Sequence, residues 1–345
     1  MSQLAVALGR LRPWRTAVAV LAGLLLVAGC NSLAHARGGE GTDKDYTMKS
    51  GGLERSYRLY LPSDYDPSKP LPLLVALHGG FGTGPAMERV TGFDRLADAA
   101  RFIVAYPSGI RRSWNAGDKC CDPARRMGVD DVGFMQDLVA KIESDYRIDS
   151  SRVYGAGFSN GAMLLLYTAC QDPSVFTAIA VNSGALMSSK CNGGRVPTML
   201  IHGRKDPRIP WNGGSVRTGG WSDVTYRQPF LQLVQKIAER NGCSTSEKVT
   251  YDTSPAKCQT YKGCGANEVT WCGVQGMGHQ WAGGETFMPL MLGENTNRFS
   301  STNMMWSFFS RHRRGQDRDT SPPALAAPVT PSGGDAGSDG GDSGG

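Results

Sequence analysis

The sequence predicts an α/β domain, a mostly parallel β-sheet with helices on both faces. Three observations carry this expectation. Continuously apolar, β-branched runs recur along the chain, which is how strands covered on both faces read. Helical patterns separate them, so the strands return by crossovers rather than hairpins. And the stretch between two low-complexity ends is long enough to bury one large core, with no internal repeat or second linker dividing it.

In chain order, the expected strands are residues 56–62, "PLLVALHGG" (72–80), "RFIVAYP" (101–107), "RVYGAGF" (152–158), "FTAIAVNSG" (176–184), "VPTMLIHG" (196–203) and "EVTWCGV" (268–274). A helix is expected over "DDVGFMQDLVAKIESDY" (130–146), where Val132, Met135, Leu138, Val139 and Ile142 share a face and Asp130 or Asp131 stands at the N-cap. An apolar helix follows the fourth strand as "NGAMLLLYTAC", and further helices are expected at 228–242 and 303–312. The domain is assigned to residues 46–314.

The ends differ in character. Arg10, Arg12 and Arg15 precede an apolar run, Thr16–Gly29, too short to span a bilayer comfortably, so residues 1–29 are expected to be an export signal. Val27-Ala28-Gly29-Cys30 has small residues and a cysteine where lipoprotein processing needs them. Cys30 is thus expected to carry lipid, tethering an exported protein to a membrane without a spanning helix, or the chain is released. Residues 30–45 are expected to be a flexible stalk and 315–345, rich in Pro, Gly, Ser and Asp, a disordered tail. Three positive charges of the net +6 belong to the signal, leaving a mildly basic mature chain with nothing that points to nucleic acid.

Of nine cysteines, Cys30 is set aside for lipid and the other eight suit disulfides in an exported protein. Adjacent Cys120 and Cys121 are expected to reach different partners. No C-x-x-C pair is present, so structural zinc is not expected.

The pattern G-x-S-x-G occurs twice, as Gly157-Phe158-Ser159-Asn160-Gly161 and as Gly341-Asp342-Ser343-Gly344-Gly345. With 45 glycines in 345 residues, on the order of half an accidental match is expected, so context decides. Ser343 stands in the low-complexity tail with no following sequence to build a pocket, and is expected to be a coincidence. Ser159 falls where an apolar strand gives way to an apolar helix, the setting of a nucleophile elbow. There a tight turn exposes the hydroxyl, and glycines two positions either side let the backbones pack. The N–H of Asn160, at the helix start, would face a developing oxyanion.

Five histidines are available as base. His35 is in the stalk, His312 ends the last helix among arginines, His78 precedes the serine in "LHGGFG", and His202 closes the strand "TMLIHG". His279, in the Gly-rich loop "GMGHQWAGG" after the last strand, is the expected base, with His202 its rival. Asp206, on the loop leaving the strand that ends at His202, is the expected acid, which would hold the imidazole tautomer. Ser159, Asp206, His279 is the chain order of the α/β-hydrolase fold. The second oxyanion donor is expected from the "LHGGFG" segment, as the N–H of Gly80 or Phe81. Trp114, Trp211 and Trp281 adjoin these motifs and are candidate cleft walls.

These residues resemble a known group, the secreted polyhydroxybutyrate depolymerases and feruloyl esterases related to carbohydrate esterase family one. The likeness runs collinearly over about residues 50–313, through "LHGG", "WNAGDKCC", "VDDVGF", "RVYGAGFSNGAM", "LIHGRKDPRIPWNGG", "NGC", "GMGHQWAGG" and "MMWSFFSRH". Ala282 stands where the family commonly has Pro, and "GFGTG" is a local variant. The resemblance implies a serine esterase with no metal or organic cofactor, acting on short acyl or hydroxycinnamoyl groups on polysaccharide, or on a polyester. A peptidase of the same fold and a catalytically silent binding protein are the alternatives.

Overall fold

The computed structural model describes residues 39–191, 193–217 and 224–315. The expected signal, Cys30, most of the stalk and all but the first residue of the tail lie outside the described residues.

The chain forms twelve strands among the described residues. They are β1 (Thr42–Ser50), β2 (Leu53–Leu61), β3 (Leu71–Leu77), β4 (Ile103–Ser108), β5 (Ile148–Phe158), β6 (Ala178–Asn182), β7 (Thr198–Gly203), β8 (Gly214–Arg217), β9 (Val224–Arg227), β10 (Glu247–Thr253), β11 (Ala256–Tyr261) and β12 (Val269–Val274). Ten of them make one sheet, ordered β1-β2-β4-β3-β5-β6-β7-β12-β11-β10, and β8 and β9 pair separately as a hairpin. From β4 across to β12 every neighbouring pair is parallel. The flanking pairs on both sides are antiparallel.

Helices cover both faces: α1 (Gly84–Thr91), α2 (Phe93–Ala100), α3 (Asp131–Asp145), α4 (Asn160–Gln171), α5 (Phe230–Arg240), α6 (Pro289–Leu292) and α7 (Ser301–Phe309). Alternation within β3 shows why its sequence is unbroken apolar. Leu73, Val75 and Leu77 enter one core with Trp114, Phe134 and Leu164. Leu74 and Ala76 enter the other, with Phe93, Tyr154 and Phe308. This is the α/β-hydrolase architecture, and it places the loops leaving β3, β5, β6, β7 and β12 along one edge of the sheet.

Several expectations are corrected. The sheet begins at Thr42, inside the segment read as stalk, because β1 is a polar edge strand pinned to β2. Asp130 caps α3, accepting the Gly133 N–H at 2.8 Å. Asp131 does not cap it. Its carboxylate is buried against Arg55 at 2.6 Å and accepts the Asn115 N–H. Cys120 and Cys121 bond to each other across a cis peptide, because the other six described cysteines satisfy one another as Cys170–Cys191, Cys243–Cys264 and Cys258–Cys272.

Candidate active site

Ser159 sits between β5 and α4 with φ 52° and ψ −115°, a left-handed backbone that side chains seldom adopt. The flanking glycines explain how the turn closes. A Cβ on Gly157 would lie 2.8 Å from the backbone of Gly161 and Ala162, and one on Gly161 would strike the carbonyls of Leu77 and His78. The elbow is also tied from the side, since the Ser159 N–H donates to the Asn182 carbonyl at 3.0 Å.

Ser159 Oγ lies 2.8 Å from His279 Nε2, and His279 Nδ1 lies 2.8 Å from Asp206 Oδ2. The other Asp206 oxygen accepts the N–H groups of Arg208 and Ile209, both at 2.8 Å. Burial pushes the Asp206 carboxyl up, but the charge and hydrogen bond of His279, then His202 and the Ile209 N–H, outweigh it and hold the group below the usual carboxylate range. An anionic Asp206 therefore faces Nδ1, which makes Nδ1 the protonated nitrogen and leaves Nε2 to accept from Ser159. His202 is not placed to be the base: it is buried, with Nε2 on the Ile209 carbonyl at 2.7 Å. His312 is likewise buried, its Nδ1 on the Phe308 carbonyl.

The loop leaving β3 presses on the nucleophile. A Cβ on Gly79 would meet Phe158 at 2.9 Å and the Ser159 Cβ at 3.2 Å. The Gly79 carbonyl accepts from the Gly82 N–H at 3.0 Å and from His78 Nδ1 at 2.7 Å. In a trans peptide the N–H points opposite to the C=O, so pinning that carbonyl aims the Gly80 N–H away from His78 Nδ1 and the Gly82 N–H. His78 is held as the Nδ1–H tautomer because its Nε2 accepts from the Gly109 N–H at 2.9 Å. Burial pushes its pKa down to about 4, with the Gly79 hydrogen bond opposing and Arg112 adding. Of the two candidate donors, Phe81 is excluded, because its N–H is spent on the Arg112 carbonyl at 2.8 Å. The Asn160 N–H belongs to the first turn of α4, where no intrahelical acceptor exists.

Two of the three tryptophans expected to wall a cleft, Trp114 and Trp281, are corrected too. Trp114 is fully buried, its indole N–H on the His78 carbonyl and its own backbone bonded in both directions by the Asn160 side chain. It braces the loop leaving β3 and the start of α4 instead of lining a cleft. Trp281 is equally buried, donating to Thr302 and packing edge-on against Phe93 and Phe158. Trp211 is half-buried between Phe230 and the Arg204 guanidinium. The exposed large apolar side chains of the loops beside Ser159 and His279 are Phe81, after β3, and Met288, Leu290 and Met291, after the His279 loop, which give this surface an apolar rim. Phe287 packs between this rim and Phe158, whose ring lies 5.0 Å from that of His279.

Two residues that motif reading missed hold the histidine loop. Asn182 donates to the Gln280 carbonyl at 2.8 Å and accepts from Ser301, so the residue that ties the elbow also ties the base. Gln280 donates to the carbonyls of Phe287 and Gly293, anchoring the apolar rim. The run "FMPLML" (287–292) after a Gly-rich loop was the available signal for that rim.

Among the described residues one acidic group, Asp43, Glu88 and Asp94, is close enough to hold a cation, but Arg58 bonds Glu88 and Tyr106 bonds Asp94. It contributes nothing to the triad.

A family model described as "Esterase PHB depolymerase" matches residues 55–208. The chain is 30% identical over 238 residues to a protein of Aspergillus flavus named as a probable feruloyl esterase C, covering 66% of this chain and 75% of that one. It is 29% identical over 240 residues to feruloyl esterase C of Emericella nidulans, covering 66% and 78%. Among solved structures, acetyl xylan esterase from Aspergillus awamori superposes with a TM-score of 0.53 at 19% identity, covering 70% of this chain and 94% of that one, a likeness of fold.

Proposed function

Because the chain belongs to the family of polyhydroxybutyrate depolymerases and feruloyl esterases, and is a carboxylic-ester hydrolase, we propose that it works through an acyl-enzyme on Ser159, with His279 as acid–base and Asp206 as its partner. The observation that carries this reading is the pair of 2.8 Å contacts running from Ser159 through His279 to Asp206. Ser159 Oγ attacks the ester carbonyl carbon while its proton passes to His279 Nε2. The oxyanion accepts from the N–H groups of Asn160 and Gly80. As the carbonyl re-forms, the alcohol leaves with the proton held on Nε2 and the acyl group stays on Ser159. Water then gives a proton to Nε2, attacks the acyl carbon and releases the acid, and the proton returns to Ser159.

An apolar or aromatic acyl group suits the rim of Phe81, Phe287, Met288, Leu290 and Met291. Feruloyl or short acyl esters on polysaccharide, or a polyester, are the substrates this reading favours. The exported, lipid-tethered state through Cys30 rests on the arginines and small residues before it and agrees with the disulfides. Among the described residues no helix is long and apolar enough to cross a membrane.

The test is a panel of feruloyl, acetyl-xylan, short-chain aryl and polyhydroxybutyrate substrates, with peptides as a control. Ser159→Ala is expected to lower kcat/KM for every ester turned over by about 10⁵–10⁶-fold with little change in Tm. Full activity in that variant, or cleavage of peptides alone, would overturn the assignment.

A further inference from the structure

Buried Arg55 is neutralised by Asp131, and partly buried Arg311 by Glu268. Arg227 is not. It ends β9, is 6% exposed, and has no carboxylate within ion-pair distance among the described residues. Its Nη1 rests on the Met187 thioether at 3.0 Å and its Nε has no partner. Arg240 also lacks an acid, but it lies against the Cys170–Cys191 disulfide at the C-terminal end of α4, the sheet edge opposite Ser159.

Arg227 is on the catalytic edge. Met187 belongs to the loop leaving β6, whose last residue, Asn182, holds the Ser159 N–H. The charge that bears on Arg227 is that of a second cation, Arg208, whose backbone N–H bonds Asp206. Burial and the Arg208 charge both press the Arg227 pKa down, yet a guanidinium cannot shed its proton in a protein, so the charge stays. Burying a cation without an anion costs stability. A buried guanidinium packed on a loop of the catalytic edge, with no carboxylate partner among the described residues, keeps the planar fork of donors that a carboxylate requires.

We propose that Arg227 and Arg208 form a subsite for a carboxylate carried by the ester substrate, which rests on the esterase reading above. Two carriers share this chemistry. The acid can sit on the acyl side, as in a half-ester of a dicarboxylic acid, or on the alcohol side, as at the end of a hydroxy-acid oligomer.

The experiment compares the full chain with Arg227→Met and Arg227→Lys on two matched pairs: 4-nitrophenyl hemisuccinate against 4-nitrophenyl butyrate, and 3-butanoyloxybutanoate against its methyl ester. The carboxylate-to-neutral ratio of kcat/KM is expected to fall about tenfold or more in Arg227→Met for one pair, which identifies the carrier, with partial retention in Arg227→Lys. Independently of turnover, succinate or 3-hydroxybutyrate raises the Tm of the wild type and not of Arg227→Met. Arg227→Met, relieved of an unpaired charge, melts no lower than the wild type. Ratios unchanged within about twofold for both pairs, or a variant that only loses stability, would overturn the subsite while leaving hydrolysis of the neutral esters, and so the esterase reading, intact. Failure of the wild type on the neutral esters would instead remove the esterase reading itself.

Discussion

In the proposed mechanism a single peptide group decides whether Ser159 has a second oxyanion donor. The Gly79 carbonyl is held by His78 and Gly82, and this turns the Gly80 N–H away from both. Gly80→Pro removes that donor and is expected to lower kcat by about 10²–10³-fold. Gly80→Ala keeps the N–H, and a Cβ there meets nothing within 4 Å, so its kcat should stay near wild type. Steady-state kinetics on an aryl ester separate the two, and equal losses would exclude Gly80 as the donor. At this scale the sequence was legible where a motif dictates backbone geometry, as at Gly157, Ser159 and Gly161. It was not legible where only ring direction matters. Trp114 and Trp281 adjoin the motifs, but nothing in their neighbours along the chain says that both indoles turn inward to find acceptors on His78 and Thr302. Asn160 shows the same gap, its place at the helix start being evident and its side-chain clamp on Trp114 not.

Elements were legible in proportion to their burial. The strands β3 to β7 and β12 lie in the parallel centre, and their apolar runs announce them. β1, β10 and β11 were missed because they lie at or beside the sheet margins, where exposed faces carry residues such as Asp43, Lys44, Lys248 and Asp252. α1 and α2 were missed for a related reason. Their signals are a Thr83 cap and the left-handed Gly92, not a long apolar stripe. The margin matters to function because β12 runs into the His279 loop. Cys258–Cys272 ties β11 to β12 directly, closing a sequence separation of 14 residues. Replacing both cysteines by serine should cost about 3 kcal/mol in denaturant unfolding, the loop-closure entropy of a loop this short. An unchanged unfolding midpoint would show that strand pairing alone holds the margin.

For the molecule as a whole, pH couples the site to stability. The folded pKa of His78, about 4, lies below the ordinary value of 6.5, because burial disfavours the imidazolium. The unfolded chain therefore takes up the proton first as pH falls. Stability is complete above about pH 6.5 and is lost between there and about pH 4, by about 3 kcal/mol in all. Asp206, whose carboxyl is held below its ordinary 3.8, adds loss in the same direction at still lower pH. Urea midpoints at pH 7.5, 5.5 and 4.5 should fall steadily in the wild type and less steeply in His78→Asn, and parallel curves would contradict the account. The same loop edge carries the proposed triad and oxyanion donors, the apolar rim and Arg227. The most direct test of its central claim is mass spectrometry of the intact protein after reaction with an alkyl phosphonate fluoride. One adduct on the peptide containing Ser159, lost in Ser159→Ala and strongly slowed in His279→Ala, is the predicted result. An adduct on another serine, Ser343 included, or none while ester hydrolysis proceeds, would contradict it.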